Sequence, residues 1–167
     1  MSLTPEQLEQ FVARLAAEPQ RWQHLVRHER DVRVYEQIFG DAQLNAWLIC
    51  WSDAQDTGFH DHDESAGAIA VLRGRVRDER LAIGSDRSQI GQQAREFAAP
   101  QRFNIPPNAI HRVVHAGDEP AITLHAYSPP LIRMGAYRVG AHGELEREAL
   151  TCEQELRAER RLIEAVE

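Results

Sequence analysis

The first 30 residues carry a helical pattern of apolar positions. Thr4 and Gln7 have the spacing of a capping box, and Pro5 stands at the first helical position. The apolar residues that follow recur three or four positions apart and share one helical face: Leu8, Phe11, Val12 and Leu15. This pattern predicts an amphipathic helix that ends near Pro19, because proline disfavours helical geometry in the residue before it. A second short helix is predicted through Trp22, Leu25 and Val26.

From about residue 32 the pattern changes to short runs of β-forming residues, separated by turn residues. Some runs are apolar at every position, such as residues 68–72, as expected for strands that are buried on both faces. Many short strands at this spacing are typical of a β-sandwich or a β-barrel. The predicted strands are Val32 to Phe39, Leu44 to Trp51, Ala68 to Leu72, Val76 to Ile83, Glu96 to Phe103, Ile110 to His115, and Ile122 to Tyr127.

The last part of the chain returns to a helical pattern. The segment from Thr151 to Val166 begins with another Thr-x-x-Gln box and is densely charged, which favours a solvated terminal helix over an assembly element. We therefore expect a single domain with a helical cover over residues 1–30, a β-barrel core over 32–140 and a C-terminal helix over 150–167. The sequence leaves the choice between a monomer and a homodimer open.

Composition narrows the possible functions. The formal net charge of −7 argues against a nucleic-acid partner, because binding to phosphates needs clustered positive charge. Lysine is absent, which excludes Schiff-base chemistry and lysine-anchored pyridoxal phosphate. Cys50 and Cys152 differ in setting and do not indicate a disulfide framework. The chain has no apolar run of membrane-spanning length and no signal-like N-terminus, so we expect a cytoplasmic protein without a membrane partner.

The strongest candidate for chemistry is the stretch Gly58-Phe59-His60-Asp61-His62. Residues i and i+2 of a strand point to the same face, so His60 and His62 are able to bind one metal ion. Taken alone, the pair is equally consistent with two surface histidines on a polar turn. A third histidine would complete a site, and the candidates are His111, His115, His125 and His142. His111 follows the proline turn at residues 105–110, which would return the next strand to the mouth of a barrel.

These residues resemble the two motifs of the cupin superfamily, whose fold is a jelly-roll barrel also called a double-stranded β-helix. The matches are His60 and His62 for the His-x-His element, Gly74 for the closing glycine of the first motif, and residues 106–111 for the second motif, with Asn108 in place of glycine. Gly67 stands where many cupins place a glutamate ligand. The resemblance therefore implies a ligand set of His60, His62 and His111 without a carboxylate, which suits Fe, Cu, Zn or Ni.

Four longer strings resemble the cysteine dioxygenase family of thiol dioxygenases: Cys50-Trp51, His60 to Ser65, Ile110 to Val114, and Thr123 to Pro130. The resemblance implies Fe(II) bound by the three histidines and oxidation of a small thiol to its sulfinate, with both oxygen atoms coming from O2. It also implies a hydrogen-bonded relay of Thr123, His125 and Tyr127, with threonine in place of the usual serine. The alternation of a strand independently puts these three side chains on one face.

Two departures from the animal enzymes bear on the substrate. Gly67 replaces the cysteine that cross-links to the active-site tyrosine, so Tyr127 should be unmodified. Gln37, two residues after Tyr35, replaces the arginine that binds the substrate carboxylate, which resembles the pattern of bacterial enzymes that prefer 3-mercaptopropionate. The carboxylate then needs another cation, and the candidates are Arg112, Arg133 and Arg138. We expect 3-mercaptopropionate or a related mercapto-acid to be preferred over cysteine.

Two alternatives remain open from the sequence. One is a non-catalytic cupin that binds a small ligand, which would be indicated by a broken ligand set, whereas all three histidines and the relay are present here. The other is a cupin isomerase or hydrolase, with the same histidines binding a different metal. Iron together with thiol-dependent O2 uptake favours the dioxygenase, whereas zinc without O2 uptake favours this alternative.

Overall fold

The computed structural model describes residues 2–83, 90–139 and 145–151. One α-helix and two short 3-10 turns precede a series of strands. The helix α1 is Pro5–Ala16, and the turns are Pro19–Arg21 and Gln23–Leu25. The strands are β1 Val34–Gly40, β2 Asn45–Trp51, β3 His60–Asp61, β4 Ala66–Arg73, β5 Arg75–Ile83, β6 Ile90–Ala98, β7 Arg102–Ile105, β8 Ile110–Ala116, β9 Ala121–Ser128, β10 Arg133–Val139 and β11 Leu145–Thr151.

The strands form two sheets, which confirms the predicted mainly β class. One sheet has the order β1-β2-β9-β4-β7, and the other has the order β11-β10-β3-β8-β5-β6. Apolar side chains fill the space between the sheets, among them Trp51, Ile69 and Val113. A second core lies between the five-stranded sheet and α1, and it includes Leu8 and Leu124. β9 is buried at every position because it contributes to both cores, which explains why the apolar runs do not alternate with polar residues.

The N-terminal helix forms as the sequence predicts. The amide of Thr4 donates to the side chain of Gln7 at 2.8 Å, and the amide of Gln7 donates to the hydroxyl of Thr4 at 3.3 Å. Its buried face packs against the five-stranded sheet through Leu8, Val12 and Leu15. The second predicted helix is wrong in type, because residues 19–25 form only 3-10 turns. No helix in the described part of the chain has the length and apolar character needed to span a bilayer.

The predicted elements differ from the structure in three places. The run from Glu96 to Phe103 is not one strand, because a turn after Ala98 separates β6 from β7. β10 and β11 were not predicted, although they form one edge of the six-stranded sheet. Residues 150–151 close β11 instead of opening a helix, and the remainder of the predicted C-terminal helix lies outside the described residues.

Candidate metal centre

Three buried histidines converge in the space between the two sheets. His60 lies in β3, His62 follows that strand, and His111 lies in β8 directly opposite His60. The Nε2 atom of His62 is 3.1 Å from that of His60 and 3.4 Å from that of His111. The three side chains are at most 3% exposed, and their potential ligand atoms lie within 4.8 Å of one another. The structure thus brings together the three histidines that the motifs indicated.

The hydrogen bonds on the far side of two rings determine which nitrogen carries a proton. His60 Nδ1 is 3.0 Å from the carbonyl of Gly58, which only accepts, so Nδ1 carries the hydrogen and donates it. His111 Nδ1 donates in the same way to Asp78 at 2.7 Å. Burial raises the pKa of the Asp78 carboxyl, but the hydrogen bonds from His111 and Arg80 outweigh it and lower the pKa overall. In both histidines Nε2 therefore faces the centre of the cluster.

Electrostatics keep His60 and His62 neutral and therefore able to bind a cation. Burial, followed by the charge of His111, lowers the pKa of His60 to about 3, and burial lowers the pKa of His62 well below its ordinary value. Imidazole nitrogens held 3.1 and 3.4 Å apart either share a hydrogen atom or bind the same cation. Two nitrogens bound at right angles to one metal at about 2.1 Å are about 3 Å apart. The donor set thus fits a divalent transition metal.

Asp61, between two of the histidines, fixes the position of β3. Its carboxylate accepts bonds from Arg147 at 2.7 and 2.9 Å and from the hydroxyl of Tyr137 at 2.7 Å. The backbone amides of Asp63 and Gly135 donate to the same carboxylate. Arg147 crosses directly over Gly135, where a Cβ atom would lie 2.2 Å from its Nε. The two-residue strand with the metal ligands is therefore tied to the hairpin of β10 and β11.

A chain of hydrogen bonds runs along β9 next to the histidines. The indole N–H of Trp51 donates to the Thr123 hydroxyl at 2.8 Å, which is 2.9 Å from His125 Nε2. The other ring nitrogen of His125 is 3.1 Å from the Tyr127 hydroxyl. The indole N–H occupies one acceptor site of the Thr123 oxygen, and the Thr123 hydroxyl is able to donate to Nε2. In that tautomer the Nδ1 hydrogen of His125 goes to the oxygen of Tyr127, and the phenol keeps its own hydrogen for a donor bond.

The relay and the histidines share one cavity. The ring of Tyr127 lies 4.6 Å from that of His62, measured between centroids. A Cβ atom on Gly67 would lie 3.2 Å from Cε1 of Tyr127, so the glycine gives this ring its space. The cavity is lined by Arg33, Tyr35, Trp47, Ile49, Thr57, His60, His111, Val113, His125, Tyr127, Leu131 and Met134.

The structure does not bring the other proposed substrate-binding residues, apart from Tyr35, to this cavity. The Gln37 side chain is exposed and donates to the Phe39 carbonyl at 3.3 Å, because β1 bulges between these two residues. The Arg133 and Arg138 side chains are 69% and 73% exposed. Arg112 stacks on Phe59 and pairs with Glu79.

Three contributors to the site were missed in the sequence. Arg33 lines the cavity, and one signal could have found it, since it precedes Tyr35 by two residues on the same strand face. Asp78 supports His111, but its setting in the charged run Arg77-Asp78-Glu79-Arg80 conceals a buried residue. Trp51 extends the relay, although an aromatic residue in an apolar run is equally typical of a core.

Replacing Asp78 by asparagine should weaken metal binding about tenfold, because the His111 ring loses the carboxylate that orients it and raises its basicity. Titration of the metal-free protein with Fe(II) against a competing chelator measures this constant. Glu79→Gln is the matched control: Glu79 is equally buried but pairs with Arg77 and Arg112 instead of a histidine, so the metal affinity should not change. Equal losses in both variants would contradict the role of Asp78.

Comparisons with known proteins agree with this geometry. The model of the family described as cysteine dioxygenase type I matches residues 4–139. Cysteine dioxygenase type 1 of Danio rerio is 23% identical over 154 residues, which cover 87% of this chain and 76% of that protein. The Bos taurus protein of the same name is 30% identical over 95 residues, which cover 54% of this chain and 48% of the relative. The chain thus spans about half the length of this mammalian relative.

Solved structures support the fold. An RmlC-like cupin protein from Desulfovibrio desulfuricans superposes with a TM-score of 0.51 at 20% identity, covering 63% of this chain and 90% of that one. At this level of identity the likeness concerns architecture alone. It confirms the cupin barrel that the two histidine motifs indicated.

Proposed function

The chain belongs to the cysteine dioxygenase family, a family of non-haem iron dioxygenases, and on that premise we propose that it is an Fe(II)-dependent thiol dioxygenase acting on a small mercapto-acid. The observation that carries this proposal is that the cluster of three buried histidines adjoins the hydrogen-bonded chain that ends at Tyr127, with His60, His111, His125 and Tyr127 lining one cavity. The reaction converts RSH and O2 to RSO2⁻ and H⁺, and both oxygen atoms end on the sulfur. The cytosol, where small thiols stay reduced, suits this chemistry.

His60, His62 and His111 would hold the iron. Bound there, Fe(II) would supply a site that binds the substrate as a thiolate and activates O2. The described residues place no carboxylate in the metal cluster, so the protein adds no negative charge of its own. Three ligands on one side leave the cavity side open for substrate and O2.

The relay orients a proton donor toward the reacting groups. Burial, and then the charge of His111, lowers the pKa of His125 well below its ordinary value, so the ring is neutral near pH 7 and keeps a single proton. When the Thr123 hydroxyl donates to Nε2, that proton lies on Nδ1 and is donated to the oxygen of Tyr127, whose own hydroxyl hydrogen then acts as the donor of the relay. We infer that Tyr127 hydrogen-bonds to the oxygen or sulfur that gains negative charge during the reaction.

The residues that line the cavity favour binding of a mercapto-acid without an amino group, such as 3-mercaptopropionate, over binding of cysteine. Among the described residues that line the cavity there is no Asp or Glu, so the ammonium group of cysteine would find no anionic partner. Much of the remaining wall is apolar, including Ile49, Val113 and Leu131. Such a wall accommodates the methylene groups of a mercapto-acid.

Oxygen uptake tests this function. The purified protein, loaded with Fe(II), should consume O2 only after a thiol is added, and mass spectrometry should detect the sulfinate with both atoms from ¹⁸O2. A panel of 3-mercaptopropionate, mercaptosuccinate and cysteine determines the preference. If the protein binds zinc in place of iron and no thiol supports O2 uptake, the proposal is wrong. A strong preference for cysteine would contradict the argument from the walls.

Replacing Tyr127 by phenylalanine should lower kcat/KM for O2 uptake about a hundredfold, since a positioned proton donor typically contributes at least that much. The iron content should remain unchanged, because Tyr127 is not among the potential metal ligands. A matched pair of variants at the other end of the relay serves as the control. Thr123→Ser keeps the hydroxyl and should keep most of the activity, whereas Thr123→Val removes the hydroxyl and should lower the activity. Full activity in Tyr127→Phe would contradict a role for the phenol.

A further inference from the structure

A buried arginine forms part of the cavity wall next to the histidines. Arg33 is only 5% exposed and lies directly before β1, where it lines the cavity together with Tyr35, His60 and His111. Its charge lies in the same cavity wall as two of the potential metal ligands, His60 and His111. Arg33 is thus within electrostatic range of a ligand bound at the metal.

The guanidinium group is fixed in its orientation. Its Nη1 donates to the carbonyl of Asp56 at 2.7 Å, and its Cζ lies 5.1 Å from the ring centroid of Trp51. Stacking on an aromatic face together with a hydrogen bond restricts the plane of the group. Trp51 is in turn fixed by its bond to Thr123. The cation is therefore already ordered before a ligand binds, which reduces the entropic cost of binding.

The other described residues of the wall contain nothing that competes for an anion at this position. They are apolar, aromatic, hydroxyl-bearing or imidazole side chains, and none is acidic. Trp47 also belongs to this wall, and its indole N–H is buried and has no acceptor among the described residues. A cavity with one buried guanidinium and an additional N–H donor matches a ligand that carries acceptor oxygens.

We propose that Arg33 binds the carboxylate of the mercapto-acid substrate, while the thiolate of the same molecule faces His60, His62 and His111. This assignment rests on the proposed function and adds a specificity residue to it. A guanidinium is able to donate to both oxygens of a carboxylate, which selects a substrate with its charge at a set distance from the sulfur. Gln37, Arg133 and Arg138 are too exposed for this role.

Binding without turnover tests the proposal. Metal-free protein is loaded with Co(II) and titrated without O2, and the thiolate-to-cobalt absorption band gives the dissociation constants of two thiols. 3-Mercaptopropionate carries the carboxylate, and 1-propanethiol has the same number of carbons without the charge. In Arg33→Gln the constant for 3-mercaptopropionate should rise ten- to a hundredfold, the range for a lost hydrogen bond to a charged group. The constant for 1-propanethiol should change by no more than about twofold.

Arg133→Gln is the matched control, because it removes the same charge from an exposed position and should leave both constants unchanged. An unchanged constant for 3-mercaptopropionate in Arg33→Gln overturns the proposal. Equal weakening of both thiols also overturns it, since Arg33 would then act on the thiolate or the metal.

A second variant keeps the test decisive if Arg33→Gln does not fold, as judged by circular dichroism and cobalt content. Arg33→Lys keeps the charge but loses the two-pronged geometry, so 3-mercaptopropionate should bind about tenfold more weakly and 1-propanethiol as before. Because no O2 is present, an unchanged constant overturns the role of Arg33 even if the iron protein oxidises thiols. Absent O2 uptake would refute the dioxygenase even if Arg33 binds the carboxylate.

Discussion

Replacing His62 by alanine should abolish stoichiometric metal binding and, with it, thiol-dependent O2 uptake. His62 is the central member of the cluster, since its Nε2 lies 3.1 Å from His60 and 3.4 Å from His111. Two imidazoles remain in the variant, and the metal affinity should fall by at least about a hundredfold, more than for loss of a supporting residue. Metal analysis after dialysis and calorimetric titration with Fe(II) measure the loss.

The metal-free His62→Ala protein should remain folded. Its fold is built by the two apolar cores, and His62 belongs to neither of them. Circular dichroism and thermal unfolding of the two metal-free proteins check this. His24→Ala, on an exposed turn, controls for the general effect of losing a histidine. Retained stoichiometric iron in His62→Ala would show that the three histidines do not form the site.

Replacing Asp61 by asparagine should lower the free energy of unfolding by about 2–3 kcal/mol. The carboxylate accepts charge-assisted bonds from Arg147 and a bond from Tyr137, and the Asp61 side chain is only 11% exposed. Loss of one partner from a fully buried ion pair costs about 3–5 kcal/mol, and the half-exposed Arg147 reduces this figure. Urea unfolding of the metal-free proteins near neutral pH measures the difference.

Asp63→Asn is the control for this substitution. Asp63 also pairs with Arg147, at 3.6 Å, but its side chain is 35% exposed, so the loss should stay within about 1 kcal/mol. A double-mutant cycle with Arg147→Gln should give a coupling energy for Asp61 and Arg147 well above that for Asp63 and Arg147. Equal coupling energies would show that the buried carboxylate does not fix β3.

The contribution of Asp61 should also depend on pH in a defined direction. Burial raises the pKa of this carboxyl, but the bonds from Arg147, Tyr137 and the amide of Asp63 outweigh it and lower the pKa from 3.8 to about 2. A group with a lowered pKa stabilises the fold above its unfolded pKa, and this stabilisation is lost as the pH falls through the folded pKa. The stability gap between the wild type and Asp61→Asn should therefore be full above about pH 4 and should narrow toward pH 2.

The parts of the fold with local signals were predictable from the sequence. The capping box and the apolar face define α1, and the apolar runs define the strands that are buried on both faces. β10 and β11 were missed because their stability comes from pairing with each other and with β3 instead of from local pattern. Residues 145–151 are rich in helix-forming residues and mostly exposed, so propensity indicates helix where the sheet imposes strand.

More residues of the metal site than of the substrate site could be predicted from the sequence. The His-x-His spacing and the proline turn determine where three ligands lie, and the alternation of β9 places Thr123, His125 and Tyr127 together. The orientation of Gln37 depends on a bulge in β1, which one sequence does not reveal. Arg33 became a candidate only when its burial was known, since most arginines are exposed.

The double burial of β9 has a consequence for how such an enzyme changes its substrate. Odd-numbered residues of the strand form the relay, and even-numbered residues pack under α1. Inserting or deleting one residue would therefore turn the relay side chains toward α1 and the apolar side chains toward the cavity. β9 is also paired on both sides, with β2 and with β4. β1, by contrast, is an edge strand with a bulge, and it presents Tyr35 to the cavity next to Arg33, which directly precedes the strand. Evolution of substrate range is therefore free to proceed along this edge while the oxidation machinery stays intact.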